Sequence, residues 1–186
     1  RILKELRSIK INGEQAYTIV HKVMDTKEHG VPQSRPRWYC VGIRKDIVGH
    51  NSFEFPWAIP CPSVEFFLDS DSHRSVHQQS TCQVNKTMQT NIQNAKDRIT
   101  ESGGNPETQP YVVDCDAGVN KAHHTYDFSP CLTRSRNKGH WLLNKNRRMN
   151  IHEMMRLQGM NPSDIEVAVS ESSLGQQIGN AMSVNV

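Results

Sequence analysis

Apolar residues at Ile2, Leu3, Leu6 and Ile9 recur at helical spacing, so the chain enters through a helix that Asn12-Gly13 punctuates. AYTIVHKVMDT, 16–26, is dense in β-branched and aromatic residues and predicts a strand. A second strand is predicted over 37–44, and the short link between the two predicts an antiparallel pair. From Asp46 to Gln109 the texture changes. FEFPWAIPCPSVEFFLD is proline-punctuated and irregular until Val64 to Leu68, and the polar run at 70–83 predicts an exposed loop. Val84, Met88, Ile92, Ala95 and Ile99 then recur every three to four residues, which predicts an amphipathic helix over about 84–100. YVVDCD, 111–116, is a third strand candidate. Asn150 with Glu153 three residues on forms a capping box for a helix whose apolar face is Ile151, Met154, Met155 and Leu157, closed by Gly159. The Gly179-Asn180 step before the final apolar run is read as opening a helix. No internal repeat is visible.

Composition narrows this only modestly. The chain has 186 residues, 35% hydrophobic and 6% aromatic, enough for one domain with much surface and loop. A net charge of +3 is compatible with a polyanion partner without requiring one. Five scattered cysteines (Cys40, Cys61, Cys82, Cys115, Cys131) are odd in number and hold no C-x-x-C pair, which favours a reducing compartment over a disulfide framework. No apolar run approaches the roughly 20 residues of a spanning helix, so no membrane partner is expected. Arg1 in place of Met, and an ending at Val186 inside an apolar run, lead us to expect a piece of a longer protein.

Chemistry concentrates in three places. In HGVPQSRPR, Gly30 permits a tight turn, Pro32 stiffens its exit, and Gln33 offers both donors and an acceptor. Arg35 and Arg37 share parity on an extended chain, which would aim both the same way. Paired forks there suit a phosphate or a base edge; the bland reading is a pair of surface arginines at a strand end. Thr133 to Asn150 carries Arg134, Arg136, Lys138, Lys145, Arg147 and Arg148 with no acidic residue, so these side chains are candidates to neutralise phosphates, or else line a solvated hairpin. At the end, backbone N–H groups of a helix opening at Gly179-Asn180 would face a polar ligand, the plain alternative being an ordinary turn. His73, His77 and Cys82 lack a fourth ligand at recognisable spacing, so no metal centre is expected.

Three blocks fall in an order that carries a resemblance: Gly30 to Arg37 (GVPQSRPR), Glu153 to Gly159 (EMMRLQG) and Gln176 to Ala181 (QQIGNA), with SPCLTRSR at 129–136 leading into the second. Together they resemble the C-terminal half of the cytosine-5 DNA methyltransferases, closely over about 16–44 and 121–186. His152, where an arginine is usual, and Met160-Asn161-Pro162 depart from the pattern without touching the presumed pocket.

The resemblance implies an α/β fold: the C-terminal part of a Rossmann-like domain that uses S-adenosyl-L-methionine, with a small irregular target-recognition lobe inserted. Residues 1–46 would end the catalytic domain, 47–120 would be the recognition region, and 121–186 would return to the catalytic domain. Such enzymes extrude a cytosine from double-stranded DNA into a pocket. Arg37 matches the arginine expected at the flipped base, Arg35 its companion in shaping the pocket, and Gln33 the position supporting that wall. Asn180 and Ala181 match the cofactor-contacting step. Arg134, Arg136, Lys138, Arg147 and Arg148 would meet DNA, whereas Glu153, Arg156 and Gly159 look architectural. The family's glycine-rich cofactor loop, Pro-Cys nucleophile and Glu-Asn-Val block would all lie upstream of Arg1. Cys82, in STCQV, has Thr81 where the proline belongs and is not assigned as nucleophile. The partner in catalysis would therefore be the upstream half, on the same chain or another, in the nucleus or the cytoplasm according to host. A tRNA methyltransferase and a non-catalytic DNA-binding paralogue are the alternatives.

Overall fold

The computed structural model describes residues 1–48, 53–70, 85–119 and 121–185. They form two compact units, one of 1–25 with 36–58, the other of 26–35 with 59–186.

In the first unit, α1 (Ile2–Ser8) leads into a two-residue pair, β1 (Lys10–Ile11) and β2 (Glu14–Gln15). Asn12 and Gly13, both at positive φ, make the tight turn that joins them. β3 (Tyr17–Met24) and β4 (Arg37–Arg44) then pair antiparallel along all eight residues, from Tyr17 opposite Arg44 to Met24 opposite Arg37. Both strands lie where the β-branched and aromatic runs placed them. A short helix, α2 (Lys45–Val48), follows.

The second unit is built on a four-stranded antiparallel sheet in the order β6-β5-β7-β8: β5 (Tyr111–Val113), β6 (His124–Tyr126), β7 (Trp141–Leu142) and β8 (Arg147–Arg148). Alternate residues serve opposite faces. Val112 and Leu142 join one core with Val64, Leu132, Met149, Met154, Met155, Leu157, Leu174 and Ile178. Val113 and Trp141 join the other with Met88, Ala95, Ile99, Cys115, Ala122 and Leu143. The second core is the footing of α3 (Lys86–Glu101), capped by Asn85 accepting from the Met88 N–H at 2.8 Å and burying Met88, Asn91, Ala95 and Ile99. The first core seats α4 (Ile151–Arg156) and α5 (Glu171–Asn180).

The sheet of the second unit draws on both sides of residue 120. β5, inside the expected recognition region, is the sheet partner of β6 and β7 beyond it, so backbone hydrogen bonds cross that seam. Two local expectations also change, and a third falls outside the described residues. The strand at 111–116 stops at Val113, where Asp114 to Gly118 turn. Val84 and the polar run at 71–83, with His73, His77 and Cys82, lie outside the described residues. Gly179-Asn180 closes α5 rather than opening a helix: Ser170 caps that helix, and Leu174 and Ile178 supply its buried face. The periodicity is hidden in the sequence because glycines at 175 and 179 stand on the same face. A Cβ at either would run into backbone, that of Asn137 or of Thr133 and Arg134.

α4 conforms to its signals. Asn150 Oδ1 accepts from the Glu153 N–H at 2.9 Å and Glu153 Oε2 accepts from the Asn150 N–H at 2.8 Å, a complete capping box. Beyond the helix, Gly159 at φ +74° lets the Met160 N–H reach back to the Met155 carbonyl.

Candidate active-site edge

Gly30, at φ +83°, turns the chain into Val31-Pro32-Gln33, which lies beside 129 as a one-bridge parallel pair. The Ser129 N–H donates to the Pro32 carbonyl at 2.7 Å and the Ser34 N–H to the Ser129 carbonyl at 2.9 Å. Gln33 is wholly buried, and both ends of its amide are used: Nε2 donates to the Leu157 carbonyl at 2.5 Å and Oε1 accepts from the Leu132 N–H at 2.9 Å. Such a side chain cannot rotate without leaving a buried polar group unsatisfied, which fixes the backbone on both sides of it.

Arg35 is 4% exposed and faces carbonyl oxygens. Nη1 donates to the Leu132 carbonyl and lies 3.4 Å from Cys131 Sγ; Nη2 donates to the carbonyls of Gly179, at 3.1 Å, and Ala181, at 2.6 Å. Gly179 is in the last turn of α5, where carbonyls lack intrahelical partners and the helix dipole favours a cation. The guanidinium thus caps α5 and joins the Gln33-Ser34-Arg35 stretch to the backbone on either side of Asn180. Asn180 itself is exposed and Ala181 is half-buried, on backbone that Arg35 holds from beneath.

Arg37 belongs to the other unit, as the first residue of β4 opposite Met24, and is half-buried with Nη1 donating to the Pro36 carbonyl at 2.8 Å. Arg35 precedes the strand, so the alternation rule that would aim the two guanidiniums alike does not apply to them.

The basic segment divides. Arg136 makes a two-point pair with Asp114, at 2.5 and 3.0 Å. Arg147 makes one with the fully buried Glu153, at 2.8 and 2.6 Å. Arg148 makes one with Asp116, at 2.8 and 2.7 Å, and also donates to the Gly139 carbonyl. The acidic partners come from the turn after β5 and from α4, which is why the local sequence looked uncompensated. Arg134 and Lys138 are exposed, Arg134 reaching Gln176 Oε1 at 3.3 Å. Arg156 is held by Asp69 and the Phe67 carbonyl, as an architectural residue would be.

Sequence reasoning passed over His140 and Gln158. His140 is 1% exposed, with Nε2 3.4 Å from the Cys131 carbonyl and Nδ1 3.9 Å from Asp114. Burial pushes its pKa down to about 4, against the pull of Asp114, so the ring is neutral near pH 7. Burial pushes the Cys115 thiol up to about 12, which makes it inert. A surface hollow of about 650 Å³, lined in part by Val31, Phe67, His152 and Met160, contains none of the predicted site residues. Among the described residues no cluster of His, Cys, Asp and Glu is placed to hold a metal ion, and no helix is long and apolar enough to cross a membrane.

This α/β chain, with a glutamine and an arginine tying three sequence blocks together, is of the methyltransferase class. It belongs to the C-5 cytosine-specific DNA methylase family, whose profile matches residues 2–186. Among curated relatives it is 29% identical over 186 residues to the type II methyltransferase M.BsuFI of Bacillus subtilis, covering 98% of this chain and 39% of that protein. It is 29% identical over 180 residues to M.HpaII of Haemophilus parainfluenzae, covering 87% and 46%. Among solved structures, the Entamoeba histolytica methyltransferase EhMeth aligns with a TM-score of 0.48 at 18% identity, over 90% of this chain and 50% of that one. The chain spans less than half the length of the curated relatives named here.

Proposed function

We propose that this chain supplies the target-recognition region, one wall of the cytosine pocket and one edge of the cofactor site of a DNA (cytosine-5) methyltransferase. The observation that carries the reading is the Arg35 guanidinium, which binds the Gln33–Arg35 stretch to the carbonyls flanking Asn180. Arg37 is the pocket cation. A fixed positive charge beside a ring that gains negative charge during attack is worth far more than the same charge in water. Gln33 and Arg35 hold the pocket wall in place. Asn180 and Ala181 hold the polar end of S-adenosyl-L-methionine, which supplies the methyl group when bound. Residues 47–120 read the target on double-stranded DNA. Arg134 and Lys138 meet phosphates, with Arg136, Arg147 and Arg148 beside them shaping the basic surface through their ion pairs. The upstream half, which would bring the nucleophile, is the required partner.

The test is methyl transfer by the full-length protein from labelled S-adenosyl-L-methionine to duplex DNA and, in parallel, to tRNA. Transfer to DNA that falls at least a hundredfold in Arg37→Ala, with donor binding nearly intact, is the expected result. Transfer to tRNA alone would reassign the substrate. No transfer to either, with DNA still bound, would point to a regulatory paralogue.

A further inference from the structure

We propose that Gln158 is a positioning residue for the methyl-donor edge, pinning the chain on both sides of Asn180 and Ala181. The inference rests on the reading of those two residues as that edge.

Gln158 is wholly buried, and its amide is used at both ends. Nε2 donates to the Ile178 carbonyl at 3.0 Å, and Oε1 accepts from Ser183 Oγ at 2.9 Å. Its backbone carbonyl accepts from the Val184 N–H at 2.9 Å. One residue thus holds the chain at 178, before the Asn180–Ala181 step, and at 183 and 184, after it. Its neighbours extend the tie. The Leu157 carbonyl accepts from Gln33, and Gly159, at φ +74°, lies against the Asn185 side chain. Leu157-Gln158 therefore grips the Gly30–Arg35 stretch with its first residue and the tail with its second.

Between the two pins, residues 179–182 form a short arch. Arg35 holds its inner carbonyls, while Asn180 and Met182 are exposed. An arch already ordered need not be ordered when a ligand arrives, and that saving appears as affinity. Gln158 has no route to the ligand except through the arch. Its loss should weaken donor binding and leave the DNA-facing side as it was.

The experiment uses the full-length protein with Gln158→Met, which keeps the volume and removes both hydrogen bonds, and Ser183→Ala, which removes one oxygen. Donor affinity is measured by calorimetry with S-adenosyl-L-methionine, and tail order by hydrogen exchange at Ala181 and Val184. We expect the donor Kd to rise about tenfold in Gln158→Met and about threefold in Ser183→Ala, the size of one or two lost neutral hydrogen bonds. The KM for DNA and kcat at saturating donor should stay within about twofold, and faster exchange should be confined to 178–185. A donor Kd unchanged in both variants, or a parallel rise in the donor and DNA constants with exchange accelerated throughout α4 and α5, would overturn the assignment. Should Gln158→Met not fold, Ser183→Ala decides by the same readings. A wild-type protein that binds no donor refutes the functional reading and this inference with it; variants that bind as well as a binding wild type refute the inference alone.

Discussion

Arg35 Nη2 donates to the carbonyl of Ala181 at 2.6 Å, across 146 residues of sequence. Arg35 and the tail are one structural unit, and consequences for stability and pH follow from the way that unit is buried.

Arg35 and Arg37 should separate in stability. Arg35→Ala leaves the Leu132, Gly179 and Ala181 carbonyls without their charged donor and should cost about 3 kcal/mol or more. Arg35→Lys should recover only part of this, because a compact ammonium cannot fork to separated carbonyls. Arg37→Ala, at a half-buried strand end, should change stability by about 1 kcal/mol at most. Urea midpoints at constant m-value measure the difference, and equal losses at the two positions would contradict the assigned roles.

Mild acid should weaken the fold through His140. His140, held to about 4 by burial, takes up its proton at its ordinary value of 6.5 in the unfolded chain. A His pKa lowered by folding means that the unfolded state binds the extra proton, so stability is full above about 6.5 and falls as pH drops toward 4. At pH 5 the loss from this group should be about 2 kcal/mol relative to pH 7. Asp114 acts lower: burial raises its pKa, but the hydrogen bond from Arg136 and the charges of His140 and Arg136 outweigh that and hold it below 3.8, so its contribution is lost only under stronger acid. Unfolding at pH 7 and pH 5, in the wild type and in His140→Leu, should show the first loss in the wild type only.

The close approach of α5 to the turn at 133–137 should tolerate no methyl group. Gly175→Ala and Gly179→Ala each put a Cβ into backbone that cannot rotate away, and each should cost about 2 kcal/mol or more. Gly118→Ala is the control: its Cβ would meet a flexible lysine side chain at 3.6 Å, an ordinary contact. Thermal midpoints compare the three, and an α5 glycine variant as stable as the control would refute the packing.

The arginines of the basic segment should sort by partner. Arg147→Ala strands the buried Glu153 carboxylate and should cost about 3–5 kcal/mol. Arg134→Ala should leave stability within about 0.5 kcal/mol and lower DNA affinity, reducing the slope of log K against log salt by about 1. Unfolding curves and a salt titration of DNA binding read the two effects separately.

Patterns that depend on neighbours a few residues apart were legible in the sequence. The eight-residue strands, the Asn150–Glu153 capping box and the helix over α3 follow from side-chain periodicity and local capping, which need no knowledge of distant residues. The three blocks that place the chain in its family were legible for the same reason, as short contiguous runs. What only the tertiary structure decided was which charges are spent and which way the tail runs. Asp114, Asp116 and Glu153 lie 22, 32 and 6 residues from the arginines they neutralise, so the basic segment looked free when three of its cations were paired. The helix that ends at Asn180 was hidden because two of its four buried positions are glycines, whose fit is set by the distant backbone of Asn137, Thr133 and Arg134 that periodicity cannot see. Local sequence sets local backbone preference; the destination of a guanidinium depends on which carbonyls and carboxylates the whole fold leaves without a partner.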